Sequence, residues 1–215
     1  QALPDFADSI HFYSAQAALR QDEPHQAALK AAQVSPESRL YPDALLLLAR
    51  ALHNSGEPSD LERTAEVLEL YLEKFSTRQD AAEARHLLAE VYLALDQKEE
   101  AARSFLYLRD HFPLHRRAAQ ADNALQSLKE KLGEELRQQI DQESTERILN
   151  RYRAHFDRHQ SQLVIDELGQ KLEQFGRGPD ERCESLYLVA RSYTKLRRHS
   201  DGTPVYDRLL RECRK

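Results

Sequence analysis

Residues Ala84–Pro113, ARHLLAEVYLALDQKEEAARSFLYLRDHFP, contain the pattern that decides the fold class of this chain. In the first half, Leu88, Tyr92 and Leu95 recur at spacings of four and three, which places them on one face of a helix. The polar turn LDQKEE follows, and then comes a second stripe at helical spacing: Ala101, Phe105, Leu108 and Phe112. The stretch therefore predicts two helices joined by a turn, with a small residue in each helix at the closest approach.

The end of the chain repeats this register 101 residues later, which is close to three units of about 34 residues. The later positions are Ala190, Tyr193, Leu196, Gly202, Tyr206 and Leu209, which follow Ala89, Tyr92, Leu95, Ala101, Phe105 and Leu108. Small side chains let helix backbones approach closely, and aromatic rings fill the gaps beside them. We therefore expect Ala89, Ala101, Ala190 and Gly202 to be repeat-packing positions, together with Tyr92, Phe105, Tyr193 and Tyr206.

Weaker copies of the same pattern occupy the rest of the chain, so we expect a single repeat domain over residues 1–215. The expected hairpins are approximately 6–34, 42–76, 80–113, 116–140, 144–176 and 181–214. A helical hairpin leaves an apolar ridge that the next hairpin covers, so stability builds along the stack. The fold class is predicted to be all-α, a right-handed superhelical stack of five to six antiparallel helical hairpins.

Composition excludes several other classes of protein. Lys and Arg total 31 against 36 Asp and Glu, a formal net charge of -5, whereas nucleic-acid binders usually carry a basic excess. Six Gly and eight Pro are too few for many short strands with tight turns. No methionine occurs, even at position 1, which we interpret as the mark of a processed product or fragment of a longer protein.

The order small–x–x–Tyr, then Ala–x–x–x–Phe, then a closing proline resembles the tetratricopeptide repeat, and residues 84–113 carry it best. Nearly the whole chain also resembles the amino-terminal superhelical part of bacterial soluble lytic murein transglycosylases. The stretches that carry this resemblance are YPDALLLLARALHNSG, FPLHRRAAQADNAL and CESLYLVARSYTKLRRHSDGTPVYDRLLREC. The resemblance implies a periplasmic location and a catalytic domain that follows Lys215.

No catalytic centre is predicted within the chain itself. Glu143-Ser144 and Glu184-Ser185 match the dipeptide of the transglycosylase active site, but neither has Gly-rich surroundings, so we interpret both as helix-surface or capping residues. His155 and His159 stand four apart and could share a metal on one helical face, but no HExxH motif surrounds them. We therefore expect no cofactor and no metal.

Cys183 and Cys213 lie 15 residues on either side of the expected turn near Arg198. Antiparallel helices would bring the two thiols side by side. In an oxidising compartment they would form a disulfide, whereas in a cytosolic protein they would remain free thiols.

Three functions remain open. The first is a non-catalytic domain of a periplasmic transglycosylase-like protein, which braces the catalytic domain or contacts peptidoglycan or protein partners. The second is a free-standing adaptor of the cell envelope that binds protein segments in its groove. The third is a cytosolic scaffold.

The carboxylate clamp by which chaperone-tail binders of the tetratricopeptide family hold a peptide is absent. The residues that follow the small positions are Gln16, Arg50, Glu90 and Arg191, and no Asn is among them.

Overall fold

The structure is a computed structural model that describes residues 4–142, 144–173 and 179–213, and every regular element in these ranges is helical. The chain divides into two compact units, residues 1–105 and 106–215. The predicted all-α stack of antiparallel hairpins is confirmed for both units. Alanine-rich and leucine-rich stretches with few glycines favour this outcome, since these residues have high helix propensity.

The first unit consists of hairpins that pack on one another in sequence. Its helices are α1 (Pro4–Arg20), α2 (Pro24–Ala31), α3 (Tyr41–Asn54), α4 (Pro58–Phe75), α5 (Ala81–Ala94) and the first half of α6 (Lys98–His111). α2 contacts α3, and α4 contacts α5. Each hairpin therefore covers the exposed side of the one before it, as stacking of repeats requires.

The second unit contains shorter and less regular helices before its last hairpin. They are α7 (Arg116–Leu128), a 3-10 turn (Lys129–Lys131), α8 (Glu134–Asp141), α9 (Thr145–Asp157), α10 (Ser161–Leu163), a π-helical turn (Val164–Leu168), α11 (Gly169–Lys171), α12 (Pro179–Lys195) and α13 (His199–Glu212). α12 contacts α9, α10, the π-helical turn and α13. The stretch GRGPDE at 176–181, whose glycines and proline predict a linker between the last two hairpins, lies partly outside the described residues.

Five turns between the helices of a hairpin share the same length and a left-handed middle residue. In each, three residues separate the two helices and the middle one has a positive φ: Asp22, Gly56, Asp96, His159 and Arg197. Four of the five are not glycine, although L-residues pay about 1–2 kcal/mol in this region. A left-handed residue thus recurs at the equivalent position of five turns, as expected for a chain built from repeated hairpins.

The hydrogen bonds of these turns explain why the left-handed residue is tolerated. The N–H of Gln97 donates to the carbonyl of Tyr92 at 2.8 Å, and the N–H of Asp96 donates to the carbonyl of Leu93 at 3.1 Å. The last hairpin repeats the pattern, because the N–H of Arg198 donates to the carbonyl of Tyr193 at 3.0 Å. This is a Schellman arrangement, which satisfies carbonyls that a helix end leaves unpaired.

The small repeat positions lie in the packed interior. Ala89, Ala101 and Ala190 are 0% exposed. A Cβ built on Gly202 would lie 2.9 Å from the Cβ of Tyr193, closer than real Cβ contacts. Glycine is therefore required at position 202 by the close approach of α13 to α12.

The π-helical turn at Val164–Leu168 was not anticipated by the sequence pattern. Val164, Leu168 and Leu172 are all buried and are spaced four residues apart. In a helix of 3.6 residues per turn, each such step drifts by about 40° around the axis. The wider π turn reduces this drift and keeps the three side chains in one core with Tyr152 and Leu186.

Candidate partner-binding groove

A groove of about 450 Å³ lies between α1 and α3 in the first unit. It is lined by Phe12, Tyr13, Gln16, Leu40, Asp43, Leu46, Leu47, Arg50 and Asp80. α1 and α3 are both first helices of their hairpins, so equivalent faces of successive repeats form its two walls. Such clefts between repeats are the extended binding surfaces of helical-repeat proteins.

Local sequence places both the floor and the rim of this groove. Ala15 and Ala49 are completely buried and hold the two helices in the stack. Gln16 and Arg50 each come one residue later, about 100° around the helix, which brings them from the core to the groove. Phe12 and Leu47 belong to the buried core, and both reach the groove as well. The groove therefore has an apolar floor with polar groups at its edge.

One arginine fixes the carboxylates at one side of the groove. Arg78 Nη2 lies 2.7 Å from Asp43 Oδ1 and 3.6 Å from Asp80 Oδ2. The ring of Tyr71 is completely buried, and burial raises the pKa of the Tyr71 hydroxyl, an effect that the positive charge of Arg78 opposes. Because Arg78 pairs with both aspartates, its single positive charge offsets one of their two negative charges within the protein.

The remaining polar groups of the groove are available to a ligand. Arg50 is exposed, and within the described residues its guanidinium makes no ion pair or hydrogen bond. The same holds for the amide of Gln16 in the described part of the chain. Arg50 offers five N–H donors, and the amide of Gln16 offers both donors and an acceptor. This combination can pair with the backbone and an acidic side chain of a polypeptide segment.

The two cysteines lie at the open end of the last hairpin. Cys183 in α12 and Cys213 after α13 form a disulfide, with their Cα atoms 5.7 Å apart. The turn at Arg197 folds the two helices against each other, which brings the thiols together despite a separation of 30 residues.

A charge cluster surrounds this covalent link. The guanidinium of Arg182 donates a hydrogen bond to the carboxylate of Glu212, and Arg208 donates to the other oxygen at 2.8 Å. These two hydrogen bonds lower the pKa of Glu212 to about 2. Arg208 also lies 2.7 Å from Glu173, whose pKa is lowered by that hydrogen bond. The disulfide and the ion pairs therefore fasten the same end of the hairpin.

The two Glu-Ser dipeptides have structural partners. Ser144 is the N-cap of α9, and its hydroxyl accepts a hydrogen bond from the N–H of Arg147 at 3.1 Å. Glu184 pairs with Arg153, and the Ser185 hydroxyl donates to the carbonyl of Glu181 at 2.9 Å. Glu143 lies outside the described residues. Ser144 therefore has the expected capping role, whereas Ser185 is completely buried within α12 and is neither a cap nor a surface residue.

The proposed helical face shared by His155 and His159 does not exist, because α9 ends at Asp157 and His159 is the left-handed residue of the following turn. His155 instead contacts the side chain of Gln160 at 2.6 Å. Among the described residues, no cluster of three His, Cys, Asp or Glu side chains could hold a metal ion.

The repeat tyrosines form hydrogen bonds at the edge of the packed interior. The Tyr92 hydroxyl donates to Glu69, and burial followed by this hydrogen bond raises the pKa of Tyr92. The hydroxyls of Tyr206 and Thr194 lie 3.0 Å apart. Tyr193 packs against the core of the second unit, whereas Phe105 is only 2% exposed and meets the edge of His86. Tyr92 and Tyr206 thus combine apolar packing with a hydroxyl that forms a hydrogen bond, whereas Phe105 contributes apolar packing alone.

Comparisons with known proteins found only distant similarities. No protein-family model and no curated protein matches this chain. Two similar solved structures come from Podosopora anserina and represent a protein assigned as a kinesin light chain with nearly identical TPR-like repeats. One has 17% identity and a TM-score of 0.38, covering 99% of this chain and 97% of that chain. A single-residue variant has 17% identity and a TM-score of 0.39, covering 97% of this chain and 95% of that chain.

Across the described residues, none of the helices combines the length and the apolar character that crossing a bilayer requires.

Proposed function

We propose that this chain is a non-catalytic helical-repeat scaffold that holds a polypeptide segment in the groove between α1 and α3. The observation that carries the proposal is an apolar floor beside the side chains of Gln16 and Arg50, whose donors have no partner among the residues that the structure describes. Helical-repeat folds serve many functions, so the site and not the fold must support the assignment.

The finer proposal places this scaffold in the bacterial cell envelope, as the amino-terminal domain of a lytic transglycosylase-like protein. Two observations support it: the sequence resemblance described above, and the disulfide between Cys183 and Cys213. Disulfides persist in oxidising compartments and are rare in the cytosol. In this setting the scaffold braces the catalytic domain or contacts murein or protein partners.

A display experiment tests the groove. We expect the purified chain to enrich sequences from a random twelve-residue phage-displayed library, and Arg50→Glu to abolish retention of the enriched peptides. Arg191→Glu is the matched control, because Arg191 is an exposed arginine that follows a buried alanine on α12. Equal retention by wild type and Arg50→Glu would overturn the groove assignment.

A murein assay tests the remaining part of the proposal. We expect the purified chain to release no soluble fragments from isolated murein sacculi, and co-sedimentation with the sacculi would favour the transglycosylase-like domain over a free-standing adaptor. The adaptor is the second candidate, and the α1–α3 groove favours it if peptides bind while sacculi do not. Release of fragments by this chain alone would contradict a non-catalytic role.

A further inference from the structure

A second pocket of the first unit, of about 310 Å³, lies between α4, α5 and α6. Its lining residues are spaced three and four positions apart on each helix, so each helix presents a single face to the pocket. They are Glu69, Leu72 and Glu73 on α4, Arg85, Leu88 and Tyr92 on α5, and Glu100, Arg103 and Ser104 on α6. The pocket shares no lining residue with the α1–α3 groove.

The lining carboxylates outnumber the lining arginines by three to two. Arg103 serves two carboxylates, because its terminal nitrogens lie 3.4 Å from Glu100 and 3.7 Å from Glu99, which is outside the lining. Its side chain is 60% exposed, so solvent weakens both ion pairs. Since Arg85 is counted here with its full charge, whatever it pairs with, the lining carries a net negative charge of at least one.

Glu73 is the carboxylate that remains available. It is exposed on α4, and within the described ranges it forms no ion pair and no hydrogen bond. Glu69, four residues earlier on the same face, accepts a hydrogen bond from the Tyr92 hydroxyl through one oxygen only. Burial, this hydrogen bond and the negative charges of Glu69 and Glu100 raise the pKa of Tyr92, so the carboxylates of two helices act on one hydroxyl.

Ser104 adds a buried polar group to the pocket. It is 5% exposed and lines the cavity, yet its hydroxyl has no hydrogen-bond partner among the residues that the structure describes. Buried hydroxyls of other helices donate to the carbonyl four residues earlier, as Thr64 and Ser192 do at 2.6 and 2.7 Å. A buried hydroxyl that is left without a partner is unfavourable, so a ligand that donates to Ser104 gains binding energy.

The apolar part of the lining suits the stem of a long side chain. Leu72 and Leu88 are 5% and 2% exposed and lie beneath the carboxylates. A lysine side chain packs its methylene groups on apolar surface and carries a compact ammonium with three donors at its end. Its single positive charge offsets the surplus of the lining.

We propose that this pocket binds the ammonium group of a lysine side chain from a partner polypeptide, with Glu73 and Ser104 as its principal acceptors. Glu69 supplies the third acceptor, so three acceptors meet the three donors of an ammonium, whereas a guanidinium brings five. The site gives the scaffold a contact that is selective for basic segments. It stands whether or not the α1–α3 groove holds a segment.

The probe is n-butylammonium chloride, which reproduces the end of a lysine side chain. It is titrated at pH 7 into the full chain, in parallel with sodium chloride at equal ionic strength, 1-butanol and n-butylguanidinium chloride. The readout is the carboxyl carbon resonances of the glutamates in NMR spectra. We expect n-butylammonium to shift the resonances of Glu69 and Glu73 saturably, with a dissociation constant on the order of millimolar.

Two conservative variants decide whether the shifts report this site. We expect Glu73→Gln to weaken n-butylammonium binding by about 5-fold or more, because it removes a charged acceptor, and Ser104→Ala to weaken it by about 3-fold. Glu62→Gln is the matched control and should bind like wild type, because Glu62 is exposed on the same helix but does not line the pocket.

Three results would overturn the proposal. The first is a response to n-butylammonium no larger than the response to sodium chloride or 1-butanol. The second is unchanged binding in folded Glu73→Gln or Ser104→Ala. The third is tighter binding of n-butylguanidinium than of n-butylammonium, which would assign the pocket to arginine side chains instead. Each of these outcomes leaves the display experiment on the α1–α3 groove unaffected.

Discussion

Gly202 is the residue at which repeat packing is most constrained. A methyl group there would lie 2.9 Å from Tyr193 Cβ, an atom close to the backbone that cannot move independently of α12. We expect Gly202→Ala to lower the free energy of unfolding by roughly 1–3 kcal/mol, because overpacking outweighs the gain in helix propensity. Urea denaturation followed by circular dichroism measures the difference.

Gly169 provides the matched control for this prediction. It is also helical, but a Cβ there would meet only Val189 Cγ1, at the ordinary distance of 3.9 Å. We expect Gly169→Ala to stabilise the protein by up to about 1 kcal/mol through helix propensity alone. If both variants were stabilised, close approach would not be the reason for glycine at position 202.

The sequence predicted the burial of small residues better than it predicted the contacts of polar residues. Ala89, Ala101 and Ala190 are recognisable because their spacing repeats, and spacing is a local property. The buried position of Arg109 follows no such pattern, since its partners Gln139 and Ile140 are about thirty residues away. The groove residues Gln16 and Arg50 were identifiable as positions after a small residue, but the neutralisation of Asp43 by Arg78 was not. Polar networks depend on tertiary contacts that one sequence does not reveal.

At the scale of the element, the α12–α13 hairpin combines a regular turn with a covalent link. A disulfide that closes a loop of 30 residues stabilises by roughly 3–4 kcal/mol, since it restricts the unfolded chain. We expect the double variant Cys183→Ala, Cys213→Ala to lose about this amount relative to the oxidised protein.

Alkylation with and without reductant, followed by mass spectrometry, shows whether the two cysteines are joined by a disulfide in the purified protein. Two thiols labelled in the untreated protein would contradict the disulfide and remove the support that it gives to an envelope location. Wild-type protein under reducing conditions is the second control, because its stability should approach that of the double variant.

Glu212, in the same hairpin, makes the stability of the protein depend on pH. Hydrogen bonds from Arg182 and Arg208 lower the pKa of Glu212 from 4.5 to about 2. A carboxylate with a depressed pKa contributes stability above its unfolded value, and this contribution is lost as pH falls through the folded value. We expect the stability supplied by Glu212 to be complete above pH 4.5 and to disappear towards pH 2.

Thermal unfolding at a series of pH values, with Glu212→Gln and Glu62→Gln, isolates this contribution. Glu62 is exposed on α4, and its carboxylate has no ion pair in the described part of the chain. The acid-dependent loss of stability should shrink in Glu212→Gln and persist in Glu62→Gln. Identical pH profiles for Glu212→Gln and wild type would show that the ion pairs do not contribute.

The sequence predicts that these segments are helices, but it does not predict their irregular turns. Glycine and proline are turn signals in a sequence, and the structure has a positive φ at Gly56 and begins α4 at Pro58. The π-helical turn at Val164–Leu168 was missed, because a four-residue spacing is compatible with an ordinary amphipathic helix. The left-handed Arg197 was also missed, since arginine carries no signal for that conformation.

At the scale of the whole molecule, a destabilising substitution in one hairpin should loosen mainly that hairpin and its neighbours. Leu52 is 3% exposed in the core shared by α1, α2 and α3, so Leu52→Ala should cost about 2–5 kcal/mol. In a repeat array the loss is carried mainly by neighbouring elements. We expect hydrogen exchange to accelerate in α1–α4 and to change little in α12 and α13.

Mass spectrometry of exchanged peptides resolves these regions. Leu186→Ala, in the core of the second unit, is the reciprocal variant and should accelerate exchange in α9 and α12 instead. Uniform acceleration along the whole chain in both variants would mean that the two units unfold as one cooperative body.

Site-specific photo-crosslinking tests the central claim most directly. A photoreactive p-benzoylphenylalanine replaces Gln16 in the groove or, as the control, Glu62 on exposed α4. A peptide enriched by display is added, and the products are mapped by mass spectrometry. A scaffold that holds segments between α1 and α3 predicts adducts from position 16 and none above background from position 62. Adducts from position 62 alone, or equal yields from both, would contradict it.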